Sequence, residues 1–196
     1  MSTRRPHLPG RKPAGRLNAF LASSSGVGAV EFALVAPVLL LLYLGGCEIS
    51  IAMSVHRKVT HAATTVADLV TQKQTLEAEE LTGIMRASAT IIAPYSSKSL
   101  KLRVTAVKID AAGKATVQWS CPSTGMTKLA AGTAYALPAS FAGARNRSVI
   151  VSETVFAYTP LSAAAFTGPI EMGSVQLSDP RIGTVVNSAG CETVAL

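Results

Sequence analysis

Gly26-Val-Gly-Ala-Val-Glu31-Phe32-Ala-Leu-Val-Ala-Pro37-Val-Leu-Leu-Leu-Leu-Tyr-Leu44-Gly-Gly-Cys47-Glu48-Ile-Ser-Ile-Ala-Met53 is the one membrane-length apolar run in this chain. From Gly28 to Met53 it would make about 39 Å of helix at ~1.5 Å per residue, against a hydrocarbon layer of ~30 Å. One span fits, with length left for a helix that continues. Pro37 removes one backbone hydrogen bond, which membrane helices tolerate when neighbours satisfy the freed carbonyl. Glu31 is the residue to explain, because a carboxylate at the edge of hydrocarbon costs several kcal/mol and marks a functional hypothesis with a partner to be named. Two readings are open: a glutamate that snorkels to the headgroups, or one whose charge is matched by another group. Ala29, Ala33 and Ala36 fall at i, i+4 and i+7, a small-residue stripe along which a second helix can approach.

Ahead of the run lie Arg4, Arg5, Arg11, Lys12 and Arg16, with no acidic residue before Glu31. By the positive-inside rule this holds the N-terminus in the cytoplasm and sends the rest of the chain outward. Pro6, Pro9, Gly10, Pro13 and Gly15 make residues 1–26 a poor helix or core, so this leader is expected to be disordered. Part of the net charge of +7 over 196 residues is therefore topological. The arm has no interleaved aromatic residues and no binding motif, so no nucleic-acid partner is expected.

Gly26, four small or apolar residues, then Glu31 and Phe32 resemble the prepilin-peptidase site of type IV pilins, where the bond after the glycine is cut. That resemblance implies Val27 as a new N-terminus four residues before Glu31. Residues four apart share a helix face, so a freed amine could neutralise that carboxylate or a neighbouring subunit's. The whole run from Gly28 through Pro37 to Gly45, with Glu48-Ile49 after it, resembles the signature of TadE-like proteins of the tight-adherence (Tad) pilus system. Phe156-Ala-Tyr-Thr-Pro160 and Asp179-Pro-Arg-Ile182 are similar to that family's aromatic strand ending in proline and its late Pro-Arg segment. The resemblance implies a pseudopilin-like component of Tad (type IVb/Flp-type) pilus assembly in a bacterial inner membrane. Its implied partners are the membrane, other pilin-like or Tad assembly proteins and a prepilin peptidase. It brings no catalytic residues.

Leu44-Gly45-Gly46-Cys47 resembles a lipoprotein box, in which the cysteine is lipidated and everything before it removed. Against this stand the long basic leader, Glu31, and the apolar character that persists through Ile49, Ile51, Ala52 and Met53. Cys47 then reads as a small apolar residue in a membrane helix. The alternative function is an envelope-anchored periplasmic binding module or lipoprotein that never enters a pilus.

Past Met53, Val55, Val59, Ala62, Ala63, Val66, Leu69 and Val70 repeat at helical spacing, so the helix is expected to continue as a stalk. Gln72-Lys73-Gln74 marks the break. Thr75 is a candidate cap for a second helix with Glu77, Glu79 and Glu80 in its first turn and Leu81, Ile84, Met85, Ser88 and Ile91 or Ile92 on one face. His56 and His61 are five apart with no third ligand nearby, so no metal site is expected. From Leu100 the pattern alternates: Leu102, Val104 and Ala106 or Val107 lie on one face, with Lys101, Arg103 and Thr105 between them. Asp110 to Lys114 reads as a hairpin turn, Thr116 to Cys121 as the return strand with Val117 and Trp119 inward, and Ser148 to Tyr158 as a third strand. Residues 124–147 have no clear assignment, and the tail from Ser162 to Leu196 has no evident structure. Lys98, Lys101, Arg103, Lys108 and Lys114, opposed by Asp110 alone, read as a solvated sheet face.

The outward part lacks a histidine general base, a nucleophile elbow, a metal-ligand cluster and a phosphate loop, so no enzyme and no cofactor are expected. Cys121 and Cys191 would both face an oxidising compartment, where a disulfide is the expected state of two thiols that can meet. The fold expected is α+β and pilin-like: residues 1–26 as leader, 27–53 as transmembrane helix, 54–96 as stalk and second helix, and 97–196 as a β-rich periplasmic part. Its core would be two helices against an antiparallel sheet of three or more strands.

Overall fold

A computed structural model of the chain describes residues 26–160, 168–183, 186–188 and 190–196. The expected disorder of the leader concerns residues that lie outside this set, apart from Gly26. The chain divides into two compact units, Met1–Cys47 and Glu48–Leu196. The first long helix, α1, runs Val27–Thr71 without a break at Pro37.

Within the second unit, the apolar repeat of α1 does what its spacing dictates. Val55, Val59, Ala62, Ala63, Val66, Ala67 and Val70 are all fully buried, a stripe at i, i+4, i+7 and i+8 that faces a core. The segment read as a stalk is therefore itself core over residues 55–71, and its alanines let the sheet approach closely. After α1, β1 (Thr75–Leu76) pairs in parallel with β6 (Asn187–Ser188). Thr75 is thus a strand residue and not a helix cap. The second helix, α2, spans Ala78–Ala89, with Glu77 at its N-cap making no side-chain cap bond. It buries Leu81, Met85, Ser88 and Ala89, and a short 3-10 turn carries Ile92 into a second cluster with Ala89, Val55 and Val59.

Strands β2 (Leu100–Ile109), β3 (Ala115–Pro122), β4 (Arg147–Tyr158) and β5 (Ile170–Ser178) form one sheet in the order β3-β2-β4-β5, antiparallel throughout. Leu102, Val104 and Ala106 of β2 face the helices together with Trp119, Cys121 and Ile150. Each buried aliphatic side chain of this kind contributes roughly 1.5–3 kcal/mol relative to exposure. A register shift between Ala106 and Val107 resolves which of them continues the inward row. Ala106 does; the extra residue is Gln118 on β3, while β2 keeps unbroken register with β4, so Ile109 lies by alternation on the other face with Val149 and Ala144 in a separate small core packed by Leu137 and Phe141. The β2–β3 turn closes with the Lys114 amide donating to Asp110 Oδ1 at 2.8 Å, and Gly113 takes φ +86°, a conformation that suits glycine.

The tail departs from expectation. Ile170–Ser178 is the fourth strand, and described residues beyond it pack back on the sheet and helices. Trp119 Nε1 donates to Val186 O at 3.0 Å, and the Arg181 amide donates to Thr71 O at 2.9 Å. A disulfide joins Cys121 to Cys191 with Cα atoms 5.1 Å apart. The basic face also differs from its sequence reading, because Arg103 is met by Glu153 of β4 at 2.6 Å and not by solvent alone.

Candidate membrane-assembly segment

The first unit's described residues begin at Gly26 and enter α1 at Val27. Gly26, Val27, Val30, Glu31 and Leu34 line one shallow hollow at the helix start, so the Gly26-Val27 bond and the Glu31 carboxylate share a side. Leu34, Leu41, Leu42, Tyr43 and Phe32 are each about 70% exposed. An 18-residue window of this helix has mean hydropathy 2.3 and buries none of its surface, so the helix is long and apolar enough to cross a membrane. A water-soluble protein rarely leaves so large an apolar surface uncovered, and such patches mark membrane or protein contact. Ala29 and Ala33 are exposed and Ala36 is half-buried, so the small-residue stripe is open for most of its length. Cys47 is an exposed free thiol.

At the other end of the apolar run, the structure shows a polar contact that sequence reading missed. Tyr158, at the end of β4, donates its hydroxyl to Glu48 Oε1 at 3.1 Å. Burial pushes the Tyr158 phenol above its ordinary pKa, and the neighbouring Glu48 carboxylate pushes the same way. Tyr95 packs edge-on against Phe156 and Tyr158, with ring centroids 6.3 Å and 6.4 Å apart. These rings, with Val55 and Val59, form a core into which Ile51 and Ala52 also pack. The clue in the sequence was the Phe156-Ala-Tyr pattern, but nothing local pointed it at Glu48.

The remaining sequence candidates are dispersed. His56 and His61 are exposed on α1, and among the described residues no group of three or more histidine, cysteine or acidic side chains is placed to hold a metal. Lys98, Lys108 and Lys114 are exposed, but β2 alternation puts Lys108 on the opposite face from Lys101 and Arg103, so the five cations do not make one sheet face. On the opposite side of the sheet from α1, Tyr135 lies near the Arg103–Glu153 pair. Its phenol is raised above the usual value by burial first and by the Glu153 carboxylate second.

A family model described as TadE-like protein matches residues 26–68. The match starts at the glycine of the suspected processing site, passes through the exposed apolar face, and ends in the part of α1 packed against the sheet. No curated protein and no solved structure matches the chain. Over residues 26–68, the stretch that holds Glu31 and the small-residue stripe, this chain matches the TadE-like family.

Proposed function

We propose that this protein is a single-pass inner-membrane, pseudopilin-like component of Tad pilus assembly that works by helix packing and subunit contacts and not by catalysis. In this reading the N-terminus is cytoplasmic and the sheet-bearing domain periplasmic. Val27 to Met53 span the membrane, and Ala29, Ala33 and Ala36 meet a neighbouring pilin-like helix. Glu31 sets register through charge pairing with a freed Val27 amine. The observation that carries the reading is the coincidence of the TadE-like match with a helix whose apolar surface is left uncovered. A disulfide between Cys121 and Cys191 supports an oxidising compartment for the folded domain.

The mass of the protein extracted from the membrane of a cell with a prepilin peptidase tests the processing step. Cleavage after Gly26 gives a chain beginning at Val27, and an intact leader sinks that step. Glu31→Gln should insert normally and impair assembly, since it removes only the charge.

A further inference from the structure

The two edges of the four-stranded sheet are treated differently. Along β3, Gly132 N donates to Val117 O and Val117 N to Thr133 O, both at 2.8 Å, and Tyr135 N donates to Ala115 O at 3.0 Å. Val194 covers the end of that strand through a parallel bridge to Ser123. Along β5, every ladder partner is on β4, and among the described residues no backbone bond reaches its other side. Alternate residues of a strand turn their N–H and C=O groups to opposite sides, so β5 presents an unpaired row along its nine residues. Natural sheets guard such an edge with lysine, internal proline or a bulge. Ile170-Glu-Met-Gly-Ser-Val-Gln-Leu-Ser178 has none of these: its only charge is Glu171, Pro169 and Pro180 stand outside it, and its register with β4 runs without a shift. Glu171 and Gly173 are exposed, and Val175 is 54% exposed.

We propose that the β5 edge pairs with the same edge of a second copy, antiparallel about a two-fold axis through Ser174, so that the two four-stranded sheets become one. Identical edges turn the same alternate groups outward, so a residue of β5 meets either its own copy or one an even number of places away. With Ser174 opposite Ser174, all nine residues find partners, the most that any register gives. Glu171 then faces Leu177 and stands ~21 Å from the other Glu171, so the strand's one charge is not set against itself. Val175 faces Gly173, where its exposed methyl groups lie over the one residue of the strand that has no side chain. The helices do not obstruct this. α1 passes over β4, where Thr154 Oγ1 donates to Val59 O at 3.4 Å, and β4 and its copy would be three strand spacings apart, ~14 Å, wider than the roughly 9 Å between packed helices. Because β3 is closed, the contact is isologous and stops at two copies. The inference uses only residues of Glu48–Leu196 and holds whether or not α1 spans a membrane.

The test uses the full chain with Cys47→Ala, its other two cysteines held in the disulfide, in detergent and spin-labelled at Glu171→Cys or at Ser178→Cys. Both sites leave Val175 and Gly173 in place. At about 0.1 mM chain, a contact with Kd below about 10 µM is mostly formed. Pulsed dipolar EPR should find the labels of two copies apart by ~21 Å of backbone separation at 171 and ~28 Å at 178. Val175→Lys brings two lysines together near the axis and removes both Val175–Gly173 pairs, so it should weaken the dimer about tenfold. Its melting midpoint should match the parent's, because Val175 is exposed. No interspin distance at either site overturns the proposal. Short and equal distances at both sites mean parallel strands, and a shorter distance at 178 than at 171 means another register; each refutes it. Distances and dimer affinity that survive Val175→Lys place the contact between copies elsewhere and refute it as well.

Discussion

Replacing both Cys121 and Cys191 by serine in a Cys47→Ala background should destabilise the folded domain by about 4 kcal/mol, the loop-closure term for a crosslink spanning 70 residues. The native structure gives little reason for the tail to leave when the bond is lost. Thr124 N donates to Val194 O and Val194 N to Pro122 O, both at 2.9 Å, and Lys128 donates to Cys191 O at 2.9 Å. Those contacts persist without the bond, so the effect falls mainly on the freedom of the unfolded chain. Cys121 is fully buried and Cys191 nearly so, beside Trp119, Val186 and Val194, so a serine hydroxyl there adds a desolvation cost on top. Trp119 is the sole tryptophan, which makes its fluorescence a local probe of this corner. For a domain of this size ~1 kcal/mol is worth roughly 2–4 °C, so the melting midpoint in detergent should fall by about 8–16 °C. A double variant that unfolds within about 1 kcal/mol of its parent would refute the loop-closure account of the crosslink.

Leu102 has no exposed surface, so Leu102→Ala should cost about 2–5 kcal/mol in denaturant unfolding. Arg103 and Glu153 are each more than four-fifths buried, and Arg103→Met should cost about 2 kcal/mol by stranding the carboxylate. Tyr158→Phe should cost about 1 kcal/mol near neutral pH through loss of the hydrogen bond to Glu48. The raised phenol pKa of Tyr158 makes a further expectation. Its stabilisation is intact below the unfolded tyrosine value of about 10 and declines as pH rises through that value toward the folded one, because the unfolded chain releases the proton first. Unfolding midpoints on either side of that pH should fall more steeply for the parent than for Tyr158→Phe.

Local periodicity carried much of this fold into view. The apolar stripe of α1, the Leu81, Met85 and Ser88 face of α2 and the alternation from Leu100 to Ala106 in β2 show their buried side directly in sequence, because each packs one face on the core there, whereas β2 and β4 bury both faces further along and the shift at Gln118 parts Val117 from Trp119. Strand β5 did not. Ile-Glu-Met-Gly-Ser-Val-Gln-Leu-Ser has one buried residue, Met172, since an edge strand half out of the core has little need of an apolar row and its Gly173-Ser174 reads as turn. Thr75 looked like a cap because its partner in the parallel pair, Asn187, is remote in sequence. Glu48 looked incidental for the same reason, being 110 residues from Tyr158. The readings of Gly26, Glu31 and the alanine stripe rest on local pattern alone and stand as proposals, whereas the Tyr158–Glu48 contact is made only by folding.

The central claim is that the exposed face of α1 packs on other pilin-like helices in the membrane. Site-specific photocrosslinking in piliating cells, with the photoreactive residue placed in turn at Ala29, Ala33 and Ala36 and on the opposite side at Val35, tests it most directly. Adducts with Tad pilins or pseudopilins are expected from the three alanine positions, weaker ones from Val35, and their loss in Glu31→Gln. Adducts with lipid alone at all four positions under piliating conditions would contradict it.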